Sequence, residues 1–370
     1  MKNAPLRIAH VIGSVVKGGV ETAVFNYYRV MDRSQLQFDF IIDEDSPYEI
    51  PQDILQLGCR VYKTPSYKHL IAYMKALKKI FIHDKYEIVH SHLNTLSVFP
   101  LFIAKHVGVP VRIAHNHSTA GKGEFARNII KYSLCPFSRL YPTHLFACSE
   151  HAARWLFGDK AFDEGKVLIL KNAINTSKFR FNLSTRKRVR YEIGIANKLV
   201  VGHVGRFMPQ KNHMFLLDIF AEIHMQNSES VLLLLGDGEL KTMIEKKVDR
   251  LGLMDCVKFL GVRDNVHELY QAMDVLVLPS LYEGLGIVGV EAQFARLPCV
   301  FSSNIPTEAI IGSLPVVLPL DCGAKKWARI TLQQAGICDR EYRIEENDCS
   351  KLWEVSEQVK FLSDFYLQKV

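Results

Sequence analysis

The 370-residue chain predicts an α/β protein of two domains, each a doubly wound parallel sheet. Three observations lead there. Short apolar runs alternate with stretches of helical spacing along most of the chain, as repeated strand–helix units do. The clearest run, Val275-Leu276-Val277-Leu278, is apolar throughout, as a parallel strand covered on both faces is. The alternation lapses at residues 182–197, where the chain turns polar and basic, and then restarts.

The elements follow in order. Residues 7–12 form a first strand, and Gly18-Gly19-Val20-Glu21 opens a helix running to about Met31. The stretch before residue 13 is too short, and too broken by Arg7 and His10, to be a signal peptide. A strand at 38–42 follows. Leu70, Met74, Leu77 and Phe81 then recur at helical spacing, with Lys75, Lys78 and Lys79 on the other face. Ile88-Val89-His90-Ser91-His92 ends another strand, and residues 111–114 run into His115-Asn116-His117. Strands at 145–148 and 167–170 complete the first half. The second half offers strands at 199–205, 231–235, 257–261, 275–278 and 298–301. The last stretch, 352–367, is an amphipathic helix.

Composition sets limits. Hydrophobic content of 48% and charged content of 23% are ordinary for a soluble globular protein. No segment approaches ~20 uninterrupted apolar residues, so no transmembrane helix is expected. The eight cysteines, at 59, 135, 148, 256, 299, 322, 338 and 349, show neither a Cys-x-x-Cys pair nor a zinc spacing. Cys148 and Cys299 lie in apolar runs and read as reduced core thiols, which points to the cytoplasm. The net charge is +7, with the excess between Lys122 and Arg190 and a cluster at Arg186, Lys187, Arg188 and Arg190. A solvated basic face, an anionic lipid surface and a phosphorylated substrate all fit such a stretch. No nucleic-acid motif accompanies it.

The chemistry-bearing residues fall at the carboxyl ends of strands, where open α/β sheets bind ligands. Glu283 and Glu291 lie in Tyr282-Glu283-Gly284-Leu285-Gly286-Ile287-Val288-Gly289-Val290-Glu291. A glycine-rich helix start presents N–H groups to a phosphate, and carboxylates beside it accept hydrogen bonds from sugar hydroxyls. Glu291 sits among Val288, Val290 and Ala292, where a carboxylate needs a partner. Arg206 and Lys211 share one loop after a strand, an arginine fork and a lysine point charge suited to a diphosphate. Gly18 and Gly19 permit close approach of backbone to a ligand, and Lys17 just before them is a further candidate for the cleft. Gly236-Asp237-Gly238-Glu239 is a turn after a strand. His115 and His117 end a strand without a nearby carboxylate, so a metal is not inferred from them.

These motifs, in this order and over nearly the whole chain, resemble retaining glycosyltransferases of family 4. That family has the GT-B fold: two Rossmann-like, doubly wound parallel-sheet domains facing a central cleft. The resemblance implies an acceptor domain at 1–185 completed by the C-terminal helix 352–370, and a nucleotide-sugar donor domain at 186–351. It implies that Glu283 contacts the donor sugar, Glu291 the ribose, and Arg206 with Lys211 the diphosphate. Backbone around Gly284, Leu285, Gly286 and Ile287 would hold the distal phosphate. Gly18, Gly19 and Gly236 would border the donor, and Val262 or Arg263 the base. Glu21 and His115 fall on the acceptor side, and His117 matches the family's active-site histidine, with the choice between His115 and His117 open at this point.

Two positions depart from the family pattern. Asn212 replaces a frequent glycine, and Ser302-Ser303-Asn304-Ile305-Pro306-Thr307-Glu308 stands where a glycine-containing loop is usual. The implied activity is transfer of a sugar, from a donor expected to be UDP-linked, to a hydroxyl acceptor. The family's cousins make bacterial exopolysaccharide or capsule on lipid-linked acceptors at the inner membrane face, as peripheral proteins. No metal or cofactor is expected, because fixed cations can stabilise the leaving diphosphate. The basic stretch, with Phe125, Ile129, Ile130, Tyr132, Leu134 and Phe137 interleaved, fits a peripheral membrane surface. A nucleotide-sugar epimerase and an inactive nucleotide-sugar-binding subunit are the rival readings.

Overall fold

The computed structural model describes residues 4–16, 18–119, 125–313, 315–337, 340 and 351–369, with the side chains of 125–127 outside that description. Lys17, Lys122, Cys338, Cys349 and the Phe125 side chain therefore lie outside it. The chain forms two compact units. The first takes residues 1–120, 124–175 and 351–370, and the second 121–123 and 176–350.

The first unit holds β1 (Leu6–Gly13), β2 (Leu36–Asp43), β3 (Val61–Thr64), β4 (Ile88–Ser91), β5 (Val111–Asn116), β6 (His144–Ala147) and β7 (Val167–Ile169). They pair in the order β3-β2-β1-β4-β5-β6-β7, with every pair parallel. The order reverses beside β1, so the crevice at the carboxyl ends of β1 and β4 is the switch point where such sheets take ligands. The helix Gly19–Val30 covers one face with Val24, Phe25, Tyr27 and Tyr28. The C-terminal helix Val355–Leu367 joins the same core through Val359, Leu362, Phe365 and Tyr366. A parallel bridge between Ile174 and Glu354 leads into it.

The second unit holds β8 (Leu199–Val204), β9 (Ser230–Leu235), β10 (Val257–Gly261), β11 (Val275–Leu278), β12 (Cys299–Ser302) and β13 (Val316–Leu318). Their order, β10-β9-β8-β11-β12-β13, puts its switch point between β8 and β11. Every residue of β9 and β11 is buried, which is why those strands read as unbroken apolar runs.

The expected boundary at 185/186 falls instead at 175/176. The stretch 182–197 is not a linker but mostly a helix, Leu183–Glu192, with the Asn182 side chain capping Thr185 N. Arg186 pairs with Asp274, and Arg190 reaches it at 3.2 Å. Both also donate to backbone carbonyls at 271–273. Arg188 bridges Glu192 and Glu268. Three cations of the basic cluster thus tie the helix to its own unit. The six cysteines among the described residues are free thiols. No helix among the described residues is long and apolar enough to cross a membrane.

Candidate active site

The loops after β8, β9 and β10 interlock through backbone. Gly205 N donates to Leu235 O, and Gly236 N donates to Gly261 O, each at 2.9 Å. Gly236 takes φ of 141°, and a Cβ there would lie 2.1 Å from Gly205 O. Only glycine lets these two loops touch. From this base the chain turns through Pro209–Lys211 and enters the helix His213–Gln226. Asn212, the departure from the family's glycine, has φ of 55°. Asparagine is among the residues that tolerate this left-handed conformation, so the turn survives the change.

That turn aims Lys211 at the loop after β11. Lys211 Nζ lies 2.7 Å from Glu283 Oε1. Ser280 Oγ donates to the same oxygen at 2.7 Å, and Gln210 Nε2 donates to Oε2 at 3.1 Å. Glu283 is only 6% exposed and is held by three donors. Three residues on, Gly286 takes φ of 81° and starts the helix Ile287–Phe294, with no side chain capping it. The switch point between β8 and β11 thus lies beside a helix N-terminus that no side chain caps. Arg206 is exposed on the same loop as Lys211 and makes no ion pair among the described residues. Val262 is partly exposed, and Arg263 Nε donates to Leu260 O at 2.7 Å.

Glu291 has the partner its apolar setting required: Tyr270 OH donates to Oε2 at 2.9 Å. Burial pushes its carboxyl up to about 7 against this hydroxyl's opposing effect. A neutral carboxyl is a poorer acceptor for ribose hydroxyls than a carboxylate. The family resemblance assigns Glu291 to the ribose, and on that assignment UDP affinity should rise between about pH 6 and about pH 8, as Glu291 ionises. Calorimetric titration across that range checks it, and the slope should vanish in Glu291→Gln. A slope unchanged in that variant would remove Glu291 from nucleotide binding.

In the first unit, Glu21 is buried and accepts from Val16 N at 2.7 Å, closing its own glycine loop around Gly18 and Gly19. His117 is buried too. Its Nδ1–H donates to Asn172 Oδ1 at 2.9 Å, and Nε2 lies 2.9 Å from His92 Nδ1. Burial lowers it to about 4, so it is neutral at pH 7. His115 lies deeper, with Nδ1 3.2 Å from His90 Nε2. Of the two, His117 stands nearer the strand's carboxyl end.

The sequence reading missed Ser280, Gln210, Tyr270, Asn172 and His92. His92 carried a signal, since it ends its strand on the same two-residue period as His115 and His117. Tyr270 carried none, because its partner is 21 residues away.

Comparison with known proteins bears on this architecture. Residues 17–178 match the model of Glycosyltransferase Family 4, and 186–313 match that of Glycosyl transferases group 1. EpsF of Bacillus subtilis, a glycosyltransferase by name, is 36% identical over 93% of this chain and 91% of its own. An Escherichia coli UDP-Gal:alpha-D-GlcNAc-diphosphoundecaprenol alpha-1,3-galactosyltransferase is 25% identical over 81% of this chain and 80% of its own. Among solved structures, Anabaena HepE with UDP and glucose superposes with a TM-score of 0.79 at 19% identity, covering 98% of this chain and 99% of HepE. Two all-parallel Rossmann-like sheets with their loops gathered at the switch points define a GT-B glycosyltransferase. The chain belongs to the family 4 group of these enzymes.

Proposed function

We propose that this glycosyltransferase is retaining and metal-independent, and moves a sugar from a UDP-linked donor to a hydroxyl of a lipid-linked glycan during extracellular polysaccharide assembly. The observation that carries the reading is the Lys211–Glu283 pair set beside the uncapped helix start at Gly286. The helix N–H groups suit the distal phosphate. Lys211 and Arg206 stand where negative charge grows on the departing diphosphate, and stabilising that charge lowers the barrier selectively. These fixed cations can do the work of a divalent ion.

Glu283 accepts hydrogen bonds from Lys211, Gln210 and Ser280. A carboxylate so engaged suits holding sugar hydroxyls better than attacking carbon. This supports retention without an enzymic nucleophile. The UDP donor draws support from HepE, solved with UDP-glucose, and from the Escherichia coli relative, whose name gives UDP-Gal and a lipid diphosphate acceptor. The polysaccharide setting draws support from Staphylococcus aureus CapH, a capsular polysaccharide biosynthesis glycosyltransferase. Ile129, Ile130, Tyr132, Phe137 and Leu140 are exposed beside Arg139, which suits peripheral contact with anionic lipid on the cytoplasmic face.

The test uses purified protein, no added metal, a panel of UDP-, GDP- and ADP-sugars, and anionic vesicles loaded with a bacterial lipid extract. Proton NMR should show a new α-anomeric signal from an α-linked donor as free UDP appears, and the vesicles should carry the protein on flotation in low salt. A β-anomeric product would overturn retention, and a need for divalent ions would overturn metal independence. Interconversion of the sugar while still on its nucleotide would replace transfer with epimerisation.

A further inference from the structure

Five histidines meet in one layer of the first unit. Side chains alternate across a strand, so His90 and His92 share a face of β4 and its end, and His115 and His117 share a face of β5 and its end. The register sets His10 of β1 opposite His90, and His90 opposite Ile113. His92 and His115 then follow in step, with ring centres 5.2 Å apart. Helix Val355–Leu367 closes the layer with Tyr366, whose hydroxyl lies 2.6 Å from His90 Nδ1.

The contacts form two directed chains. Asn172 Oδ1 can only accept, so the His117 proton sits on Nδ1 and His117 Nε2 is the acceptor. His92 then donates from Nδ1, and its Nε2 accepts from His10 Nδ1 at 3.0 Å. In the second chain His90 stands between Tyr366 and His115 Nδ1. Each chain ends on a buried ring nitrogen without a hydrogen-bond partner, His10 Nε2 and His115 Nε2. The Leu170 backbone acts on the His115 ring as a hydrogen-bonding neighbour that favours its protonated form. A buried polar atom left unpartnered pays its desolvation without a compensating bond.

We propose that His92, His115 and His117 form a binding site for a divalent first-row transition metal, Zn2+ foremost. One ring nitrogen from each of the three lies within 4.8 Å of the other two. Three imidazoles with an open fourth position are a familiar zinc donor set. In the bound form the ion takes His117 Nε2, His92 Nδ1 and the unpartnered His115 Nε2. His117 keeps its Nδ1–H on Asn172, and His115 presents its Nδ1–H to His90. His92 shifts its proton to Nε2, facing His10 Nδ1, and His10 shifts its own to Nε2. No proton leaves the layer.

Each ligand thus has a fixed outer partner, the arrangement that orients metal-binding imidazoles in general. Tetrahedral zinc would open the 2.9 Å contact between His92 and His117 to about 3.3 Å and would part the His115 and His117 rings, whose centres lie 3.9 Å apart. His92 and His117, each 6% exposed against 1% for His10, His90 and His115, form the accessible edge. The fourth ligand, a water, would enter there. The proposal rests on residues of the first unit alone and does not depend on the transfer reading.

Untagged full-length protein, stripped by a chelator and titrated with Co2+, should bind one equivalent and show the intense visible absorption of a tetrahedral ion, which Zn2+ then abolishes. His115→Ala should remove the spectrum. Asn172→Ala leaves all three ligands in place and should weaken Co2+ binding by roughly 10–100-fold. That variant keeps the test valid if His115→Ala does not fold. Absence of saturable Co2+ binding, or an Asn172→Ala variant that binds as tightly as the parent, would overturn the proposal.

Discussion

Lys211→Ala is expected to lose transfer and to unfold at a lower temperature. Lys211 and Glu283 are both largely buried, with side chains 12% and 6% exposed. Removing one partner leaves an uncompensated buried charge, a loss of about 3–5 kcal/mol. Gln210 and Ser280 still donate to Glu283, which puts the cost at the lower end. About 3 kcal/mol corresponds to a melting shift of roughly 6–12 °C for a domain of this size.

Glu283→Gln tests the other partner. It keeps the side chain's shape but leaves the largely buried Lys211 ammonium without its counter-charge, so it too should lose stability, by about 3 kcal/mol at most because Lys211 keeps some access to water. Transfer should fall by about 100-fold or more, as when one electrostatic contact to a reacting group is lost. UDP affinity should stay within about threefold, because the phosphate N–H groups and Glu291 are untouched. The double variant is the decisive one. Lys211→Ala with Glu283→Gln should recover most of the lost stability, since no charge is stranded, yet remain inactive. Thermal melts and single-turnover assays read the two effects separately. If the double variant melts as low as Lys211→Ala, the pair is not what Lys211 contributes to the fold. Loss of UDP binding in Glu283→Gln alone would contradict its assignment to the sugar.

The first unit is expected to unfold in mild acid. Burial holds His10 at about 3 and His117 at about 4, and pushes His90, His92 and His115 well below the ordinary imidazole value. Above about 6.5 these groups are neutral in both the folded and unfolded chain, and their contribution to stability is fully present. Below it the unfolded chain binds protons that the folded layer refuses. Stability then falls by roughly 1.4 kcal/mol per pH unit for each such group, until its folded value is reached.

Several groups acting together can exhaust a typical total of roughly 5–15 kcal/mol by about pH 5. Asp43, raised to about 6 by burial, works in the opposite direction and offsets one of them. The second unit has His203 and His213 in the same state, so its loss should be smaller. Calorimetry from about pH 7.5 to about pH 4.5 should show the first unit's transition moving down steeply and the second's less so. A melting temperature unchanged between about pH 7 and about pH 5 would mean that the histidines charge without unfolding the layer.

Local pattern carried much of the candidate site. Glu283, Gly286 and the Arg206–Lys211 loop were readable because a glycine-rich helix start after a buried strand has few structural uses. The partners that give those residues their properties were not readable. Tyr270 reaches Glu291 from another helix, and Gln210 reaches Glu283 across 73 positions of sequence. The misplaced boundary has the same cause. Arg186 and Arg190 look like solvated linker cations until Asp274, more than 80 residues on, is seen to hold both.

The sequence by itself determined the two doubly wound sheets and where their main strands lie along the chain. Strands buried on both faces leave unbroken apolar runs, and helices between them leave a 3.6-residue period, so burial is written locally. The edge strands β3 and β13 are mostly half-buried or exposed, so they leave no unbroken apolar run. Only the tertiary structure assembled the histidine layer. It needs the register of β1 against β4 and β4 against β5, and a helix that returns from the far end of the chain to seat Tyr366. Register and return are settled by packing between segments distant in sequence, and no local period records them.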